Sequence, residues 1–171
     1  MRIFIGSPIG ITPEIETMAK SLSYLPGLRF TGINNFHLTY LFLGKIDVNK
    51  ARHIIEQLKK ISGNKISARF SGIRYFPNVQ IPRLIAIIPE SPYFMNLHNS
   101  ILGLLPEYKN IDRQFSPHIT VARLKNGTLL PDISKLGNIH GILSIDQICL
   151  FKSTLTHEGS LYERVYCKRL A

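Results

Sequence analysis

The pattern His-x-Thr occurs once in each half of the chain, both times within a run of apolar residues. The copies are His37-Leu38-Thr39 and His118-Ile119-Thr120. Because residues two apart on a strand point to the same face, each segment, folded as a strand, presents one imidazole and one hydroxyl on one side. The intervening residues, with Tyr40 and Val121 after them, then face a core. We therefore expect two related lobes around a shared cleft on which both histidines converge.

The rest of the chain mixes helical and strand patterns without a regular βαβ alternation, which predicts an α+β fold within a single two-lobed domain, 1–171. Apolar alternation and turn residues mark the strands, whereas capping residues and amphipathic spacing mark the helices. We expect strands 65–75 and 83–88 to pair as an antiparallel hairpin. The predicted strands are 2–6, 36–43, 65–75, 83–88, 118–124, 142–153 and 161–169, and the predicted helices are 12–22, 47–61, 91–106 and the short segment 131–136.

The chain is strongly basic, with 21 Lys and Arg against 11 Asp and Glu and a formal net charge of +10. Such an excess favours polyanionic partners, either nucleic acid or an acidic membrane surface, and predicts salt-dependent binding. A basic globular protein without a polyanionic partner is the alternative that charge alone leaves open.

The two cysteines, Cys149 and Cys167, lack CxxC spacing. They are typical of small, unpaired, buried residues on late strands in a reducing cytosol, and a disulfide or a zinc site is the alternative. The apolar run at the N-terminus is too short for a signal peptide, and no segment has transmembrane length. We therefore expect a cytoplasmic monomer without a membrane partner.

Two histidines on one cleft suit the opening of a 2',3'-cyclic phosphate. This reaction needs a base that takes a proton from water and an acid that gives one to the departing ribose oxygen. An imidazole can hold either role near neutral pH. Hydroxyls of Thr39 and Thr120 can donate to the non-bridging phosphate oxygens. Because no Asp or Glu cluster typical of magnesium ligands lies nearby in the sequence, no metal is expected.

The other four histidines lack this setting. His53 and His98 fall on predicted amphipathic helices, and His140 and His157 fall in predicted turns. We expect all four to be solvated or locally bonded rather than catalytic.

The segments 35–44 and 115–123 resemble the two signature segments of the LigT-like two-histidine phosphoesterases. These are the RNA 2',3'-cyclic phosphodiesterases once called 2'-5' RNA ligases. The opening Arg2-Ile3-Phe4-Ile5, the stretch Gly72 to Pro77 and the spacing from Ser153 to Tyr162 are also similar to the family's pattern, so the resemblance covers essentially the full length.

The resemblance implies a bilobal, pseudo-two-fold α+β fold, with antiparallel sheets lining a central cleft and helices packed outside. It implies hydrolysis of 2',3'-cyclic phosphate ends of RNA to 2'-phosphates without a metal or cofactor. His37 is then the general acid and His118 the base, while Thr39 and Thr120 hold the phosphate. The substrate can be a tRNA fragment or a small cyclic nucleotide. Ligation of RNA ends by the same site, and RNA-end binding without turnover, remain the alternatives.

Two further residues match the signature segments. Phe42 matches an aromatic position and could stack on a base, but strict alternation places it on the face opposite His37, which favours core packing. Arg123 has the same orientation relative to His118. It is kept as a candidate contact to RNA phosphate if the strand ends or twists near Ala122.

Overall fold

The computed structural model describes residues 2–110, 114–125, 127, 129–136, 139–157 and 159–171. Within these residues the chain forms nine β-strands and three α-helices, together with three short 3-10 turns. In chain order the elements are β1 (Arg2–Pro8), α1 (Pro13–Ser23), β2 (Leu28–Phe30), β3 (His37–Lys45), α2 (Val48–Lys59), β4 (Ile66–Phe76), β5 (Leu84–Glu90), α3 (Tyr93–Leu104), β6 (Ile119–Leu124), β7 (His140–Ile145), β8 (Gln147–Thr156) and β9 (Gly159–Arg169).

The first two helices begin where the sequence places capping side chains. Thr12 Oγ1 accepts a hydrogen bond from the backbone N–H of Ile15 at 3.4 Å, and Asp47 Oδ1 accepts one from Lys50 at 2.8 Å. Each bond satisfies a donor that the first helical turn leaves without a backbone partner. In the described part of the chain, no helix is both long and apolar enough to cross a membrane.

All strands belong to one antiparallel sheet with the order β7-β4-β5-β6-β3-β1-β8-β9, and β2 pairs with β6. The two motif strands, β6 and β3, meet at its centre through Leu38 opposite Ile119. Each is flanked by three further strands, so a pseudo-two-fold relation exchanges β3, β1, β8 and β9 with β6, β5, β4 and β7. The predicted pseudo-symmetric α+β fold is confirmed, with both lobes sharing a single sheet.

The segment predicted as one strand at 142–153 is instead two strands. β7 pairs with β4 near one end of the sheet, and β8 pairs with β1 in the other lobe. The chain changes lobes at Asp146, whose backbone carbonyl accepts a hydrogen bond from Leu170 at 2.8 Å. The sequence did not predict this break, because apolar residues typical of a strand occur on both sides of Asp146. The three-residue strand β2 was not predicted because it is too short for a periodic pattern.

Cys149 and Cys167 lie directly opposite each other on β8 and β9 and form a disulfide. Their assignment to late strands is confirmed, but the expectation that they are unpaired is wrong. Spacing along the chain gave no sign of the pairing, because it depends on the register of the β8–β9 hairpin, including the register shift between Leu150 and Phe151.

Candidate active site

The two His-x-Thr segments form one cluster at the centre of the sheet. Leu38 and Ile119 are register partners and fully buried, so both point away from the cleft. Continuing this antiparallel register places His37 opposite Thr120 and Thr39 opposite His118. All four of these side chains are partly exposed. The alternation predicted for the two His-x-Thr segments is therefore confirmed.

Each histidine is anchored by the backbone carbonyl two residues before it. Nδ1 of His37 lies 2.6 Å from the carbonyl oxygen of Asn35, and Nδ1 of His118 lies 2.8 Å from that of Ser116. Because a carbonyl oxygen can only accept, the neutral form of each ring carries its proton on Nδ1. The other ring nitrogen, Nε2, is then the atom that can accept a proton from a substrate or water.

Aromatic rings support the two histidines differently. The ring centroid of His37 lies 4.8 Å from Phe4, 5.8 Å from Phe151 and 4.6 Å from Tyr162, which meets it edge to face. His118 stacks on Phe76 with centroids 4.1 Å apart and an interplanar angle of 18°. His37 therefore lies in an aromatic pocket, whereas His118 rests on one ring.

These surroundings lower the proton affinity of both imidazoles. Burial lowers the pKa of His37 to about 4; the Asn35 carbonyl opposes this shift, while the positive charges of His118 and Arg123 add to it. Burial also lowers the pKa of His118, with the Ser116 carbonyl opposing and the charge of Arg123 adding. Both histidines are mainly neutral at neutral pH in the free protein, and a bound anion would raise both pKa values.

A β-bulge interrupts each motif strand at the same distance after its histidine. On β3, Ile5 pairs with Leu41 and Gly6 pairs with Thr39, so Tyr40 is the extra residue. The carbonyl of Tyr40 lies 3.1 Å from Nδ1 of His98 on α3. The extra residue of a bulge has no partner residue on the neighbouring strand. Here a side chain from a helix contacts the backbone carbonyl of that residue.

β6 has a bulge at the matching position. Ile85 pairs with Ala122 and Ala86 pairs with Thr120, so Val121 is the extra residue. Both residues of each pair Tyr40-Leu41 and Val121-Ala122 are buried. Because two consecutive residues point inward, the alternation of faces reverses beyond each bulge.

The predicted orientations of Phe42 and Arg123 are therefore wrong. Phe42 is 69% exposed, and its ring lies 6.0 Å from Phe4, the ring that contacts His37. Arg123 is exposed, and its charge lowers the pKa of both histidines. Both residues lie on the cleft side, and core packing of Phe42 is excluded. Two adjacent apolar residues at matching distances after the histidines were the only signal of the bulges.

The other four histidines lie outside the cluster. His98 is 3% exposed, stacks on Phe115 with centroids 4.4 Å apart and contacts the Tyr40 carbonyl, so of the two predicted alternatives solvation is excluded. It belongs to the core between α3 and β3. His53, His140 and His157 are exposed, as predicted. Among the described residues, no group of three or more His, Cys, Asp or Glu side chains could hold a metal ion.

A cavity of about 630 Å³, the side cavity, opens beside His37. Asn35 and Tyr162 belong both to its wall and to the surroundings of His37. The sequence did not predict this feature. Its lining residues are Arg29, Phe30, Thr31, Asn35, Arg123, Leu155, Thr156, His157, Gly159, Ser160, Leu161 and Tyr162.

A nine-stranded antiparallel sheet with two histidines from adjacent strands at its centre defines the class of protein. Comparison with known proteins supplies the family. The sequence matches the family described as LigT like Phosphoesterase over residues 5–86 and 93–162, which is most of the chain. The chain belongs to this family of phosphoesterase enzymes.

Individual relatives support the same assignment. A protein of Aquifex aeolicus named RNA 2',3'-cyclic phosphodiesterase is 32% identical over 178 residues, covering 95% of this chain and 93% of the relative. A protein of Methanocaldococcus jannaschii with the same name is 31% identical, covering 95% and 97%. The crystal structure of a Thermus thermophilus protein superposes with a TM-score of 0.84 at 21% identity, covering 99% of this chain and 97% of that one, a likeness of fold.

Proposed function

We propose that this enzyme hydrolyses 2',3'-cyclic phosphates at RNA ends to 2'-phosphates, with His37 and His118 as acid and base and without a metal. The observation that carries the proposal is the matched anchoring of the two imidazoles, each through Nδ1 to the carbonyl two residues before it. Both rings thereby keep Nε2 for proton exchange. The names of the Aquifex and Methanocaldococcus relatives support the choice of substrate.

In the proposed reaction the base takes a proton from water through Nε2 while the water oxygen attacks phosphorus. The bond from phosphorus to the ribose 3' oxygen breaks, and the acid gives its proton to that oxygen. The product carries a 2'-phosphate and a free 3'-hydroxyl. The hydroxyls of Thr39 and Thr120 donate to the non-bridging oxygens, where negative charge increases during attack.

We propose His37 as the acid and His118 as the base, the assignment that the resemblance of the two segments implies. With a pKa of about 4 in the free protein, His37 must gain its proton as substrate binds. The phosphate anion of the substrate raises the pKa of His37, because its negative charge offsets the positive charge of Arg123 and favours the imidazolium form. The opposite assignment is the competing proposal, since the lower proton affinity of His37 suits a base.

We further propose that residues 1–171 act as one two-lobed domain and as a monomer, because one chain supplies all four central side chains. RNA fragments such as tRNA halves fit the basic charge. Location in the cytoplasm stays a prediction, and the Cys149–Cys167 disulfide weighs against it, since disulfides are uncommon in reducing compartments.

The decisive assay uses a dinucleotide ending in a 2',3'-cyclic phosphate, in the presence of a metal chelator. His37→Ala and His118→Ala should each lower kcat by about 10² to 10⁴-fold. His53→Ala on α2 is the matched control, because that histidine is exposed and outside the cluster. Full activity in either site variant, or loss of wild-type activity with the chelator, would overturn the proposal. Product chromatography separates hydrolysis from 2'-5' ligation, in which an RNA 5'-hydroxyl replaces water as the nucleophile, and from binding without turnover.

A further inference from the structure

We propose that the side cavity binds the nucleotide that precedes the cyclic end of the RNA, with Arg29 and Arg123 binding the phosphodiester that joins the two nucleotides. This inference rests on the proposed function and deepens it. It makes an RNA chain, rather than a cyclic mononucleotide, the preferred substrate.

The side cavity is placed to receive the next unit of a chain whose end lies at the histidines. Asn35 binds His37 through its backbone carbonyl, and its side-chain amide donates to the carbonyls of Thr31 at 3.1 Å and Ser160 at 3.4 Å, within the cavity wall. Tyr162 contacts His37 from another strand of that wall. A 2',3'-cyclic phosphate occupies both ribose oxygens of the last nucleotide, so the RNA continues only through the 5' oxygen. The next unit of the chain is therefore the preceding nucleotide.

Arg29 and Arg123 indicate an anion in this cavity. They are register partners on β2 and β6, both are exposed, and both line the cavity. Like charges directly opposite each other on antiparallel strands are destabilising. Within the part of the chain that the structure describes, no ion pair involves either arginine, and no described lining residue is a carboxylate. A phosphodiester supplies the negative charge that this pair lacks, and guanidinium groups suit phosphate geometry.

The rest of the cavity lining suits a base and a ribose. Leu155 and Leu161, on the β8–β9 hairpin, are 75% and 58% exposed and line the cavity together with Phe30. Hydroxyls of Thr31, Thr156 and Ser160 lie among these apolar groups. A volume of about 630 Å³ lies within the usual range of small-molecule sites, roughly 300 to 1,000 Å³. The combination of apolar surface, hydroxyls and two cations matches a nucleotide.

The test compares two substrates that differ only by the preceding nucleotide: a cyclic mononucleotide, N>p, and the dinucleotide NpN>p. Wild-type kcat/KM should be about tenfold higher for the dinucleotide, because one charge-assisted hydrogen bond changes affinity by about that factor. Arg29→Gln should lower the dinucleotide-to-mononucleotide ratio about tenfold, and Arg29→Lys should keep part of it. The slope of log KM against log salt for the dinucleotide should fall by about 0.7 in Arg29→Gln.

Arg52→Gln is the matched control, because it removes the same charge from the exposed side of α2 and so tests for a general electrostatic effect. It should leave the ratio unchanged. Equal wild-type kcat/KM for the two substrates, or an equal loss on both in Arg29→Gln, would overturn the inference while leaving the proposed function standing. If wild-type protein hydrolyses neither substrate, the proposed function itself fails. Thermal unfolding of each variant shows whether a loss reflects misfolding.

Discussion

The halves around His37 and His118 share their backbone design but differ in what surrounds the imidazole. Both have a carbonyl anchor two residues before the histidine and a bulge three residues after it. His37, however, is enclosed by the rings of Phe4, Phe151 and Tyr162, whereas His118 rests on Phe76. A repeated backbone can therefore place two identical groups symmetrically while their surroundings give them unequal proton affinities. In general acid–base catalysis one group must hold a proton while the other accepts one. Under our assignment the bound phosphate, rather than this difference in proton affinity, gives His37 its proton.

A second difference lies in the strands that support the motifs. Gly6 on β1 pairs with Thr39, and Ala86 on β5 pairs with Thr120, so the two residues are pseudo-symmetric. A Cβ atom at Gly6 would lie 2.5 Å from the carbonyl oxygen of Leu38, which is too close for any real contact. Ala86 is fully buried and carries a Cβ. The His37 half thus has no room at Gly6 for the Cβ atom that the other half carries at Ala86.

The largest expected effect separates the roles of the two histidines. A cyclic phosphate with sulfur in place of the 3' bridging oxygen releases a thiolate, which leaves without being protonated. The variant that lacks the acid should then recover most of its loss of about 10² to 10⁴-fold, whereas the variant that lacks the base should recover little. Under our assignment His37→Ala is the rescued variant, measured by kcat on the thio and oxygen substrates. Rescue of His118→Ala alone would exchange the roles, and rescue of neither would exclude general acid catalysis by this pair.

The threonines should contribute more evenly than the histidines. Thr39→Val and Thr120→Val keep side-chain shape but remove a donor to the phosphate oxygens, so each should lower kcat by about 10²-fold with a smaller change in KM. Steady-state kinetics on the cyclic dinucleotide measures both. Thr154→Val on the exposed part of β8 serves as a control for the same exchange outside the cluster. A large loss in only one of the two variants would mean that the phosphate is held by one half.

Local rules predicted the central cluster but not its surroundings. The period of two placed His37, Thr39, His118 and Thr120 on one cleft, because it needs only the few residues around each motif. The same rule gave the wrong face for Phe42 and Arg123, since the extra residue that directly follows each His-x-Thr segment reverses the alternation. The position of each bulge could be inferred from the sequence only through the two adjacent apolar residues there.

Features that depend on distant pairing were also missed. The anchors at Asn35 and Ser116 are backbone carbonyls, which any residue type can provide, so their side chains carry no signal. The side cavity combines β2 and β6 with the β8–β9 hairpin, and Arg29 lies on a strand of three residues. The Cys149–Cys167 pairing likewise depends on strand register. Propensity and spacing act over a few residues, and they do not determine which distant strands become neighbours.

The close approach at Gly6 leads to a smaller effect on stability. Gly6→Ala should lower the free energy of unfolding by about 1 to 3 kcal/mol, because its Cβ meets backbone that cannot rotate away. The reciprocal change, Ala86→Gly, should cost about 1 kcal/mol or less through backbone entropy. Urea unfolding of both variants measures the difference. If Gly6→Ala were as stable as wild type, the His37 half would have room for a Cβ atom at this position, as the other half has at Ala86.

The smallest expected effect is on the pH dependence, and it tests whether the aromatic surroundings cause the unequal proton affinities. In the free enzyme, kcat/KM should be greatest between the pKa of His37, about 4, and the lowered pKa of His118, on the acid side of 6.5. Phe4→Leu admits water to His37 and raises its pKa, so the acid limb should move to higher pH. Phe76→Leu does the same for His118, so the alkaline limb should move to higher pH while the acid limb stays. Movement of the same limb in both variants would show that the histidines titrate as one coupled pair. The two halves would then differ in the rings around each histidine but not in separate proton affinities.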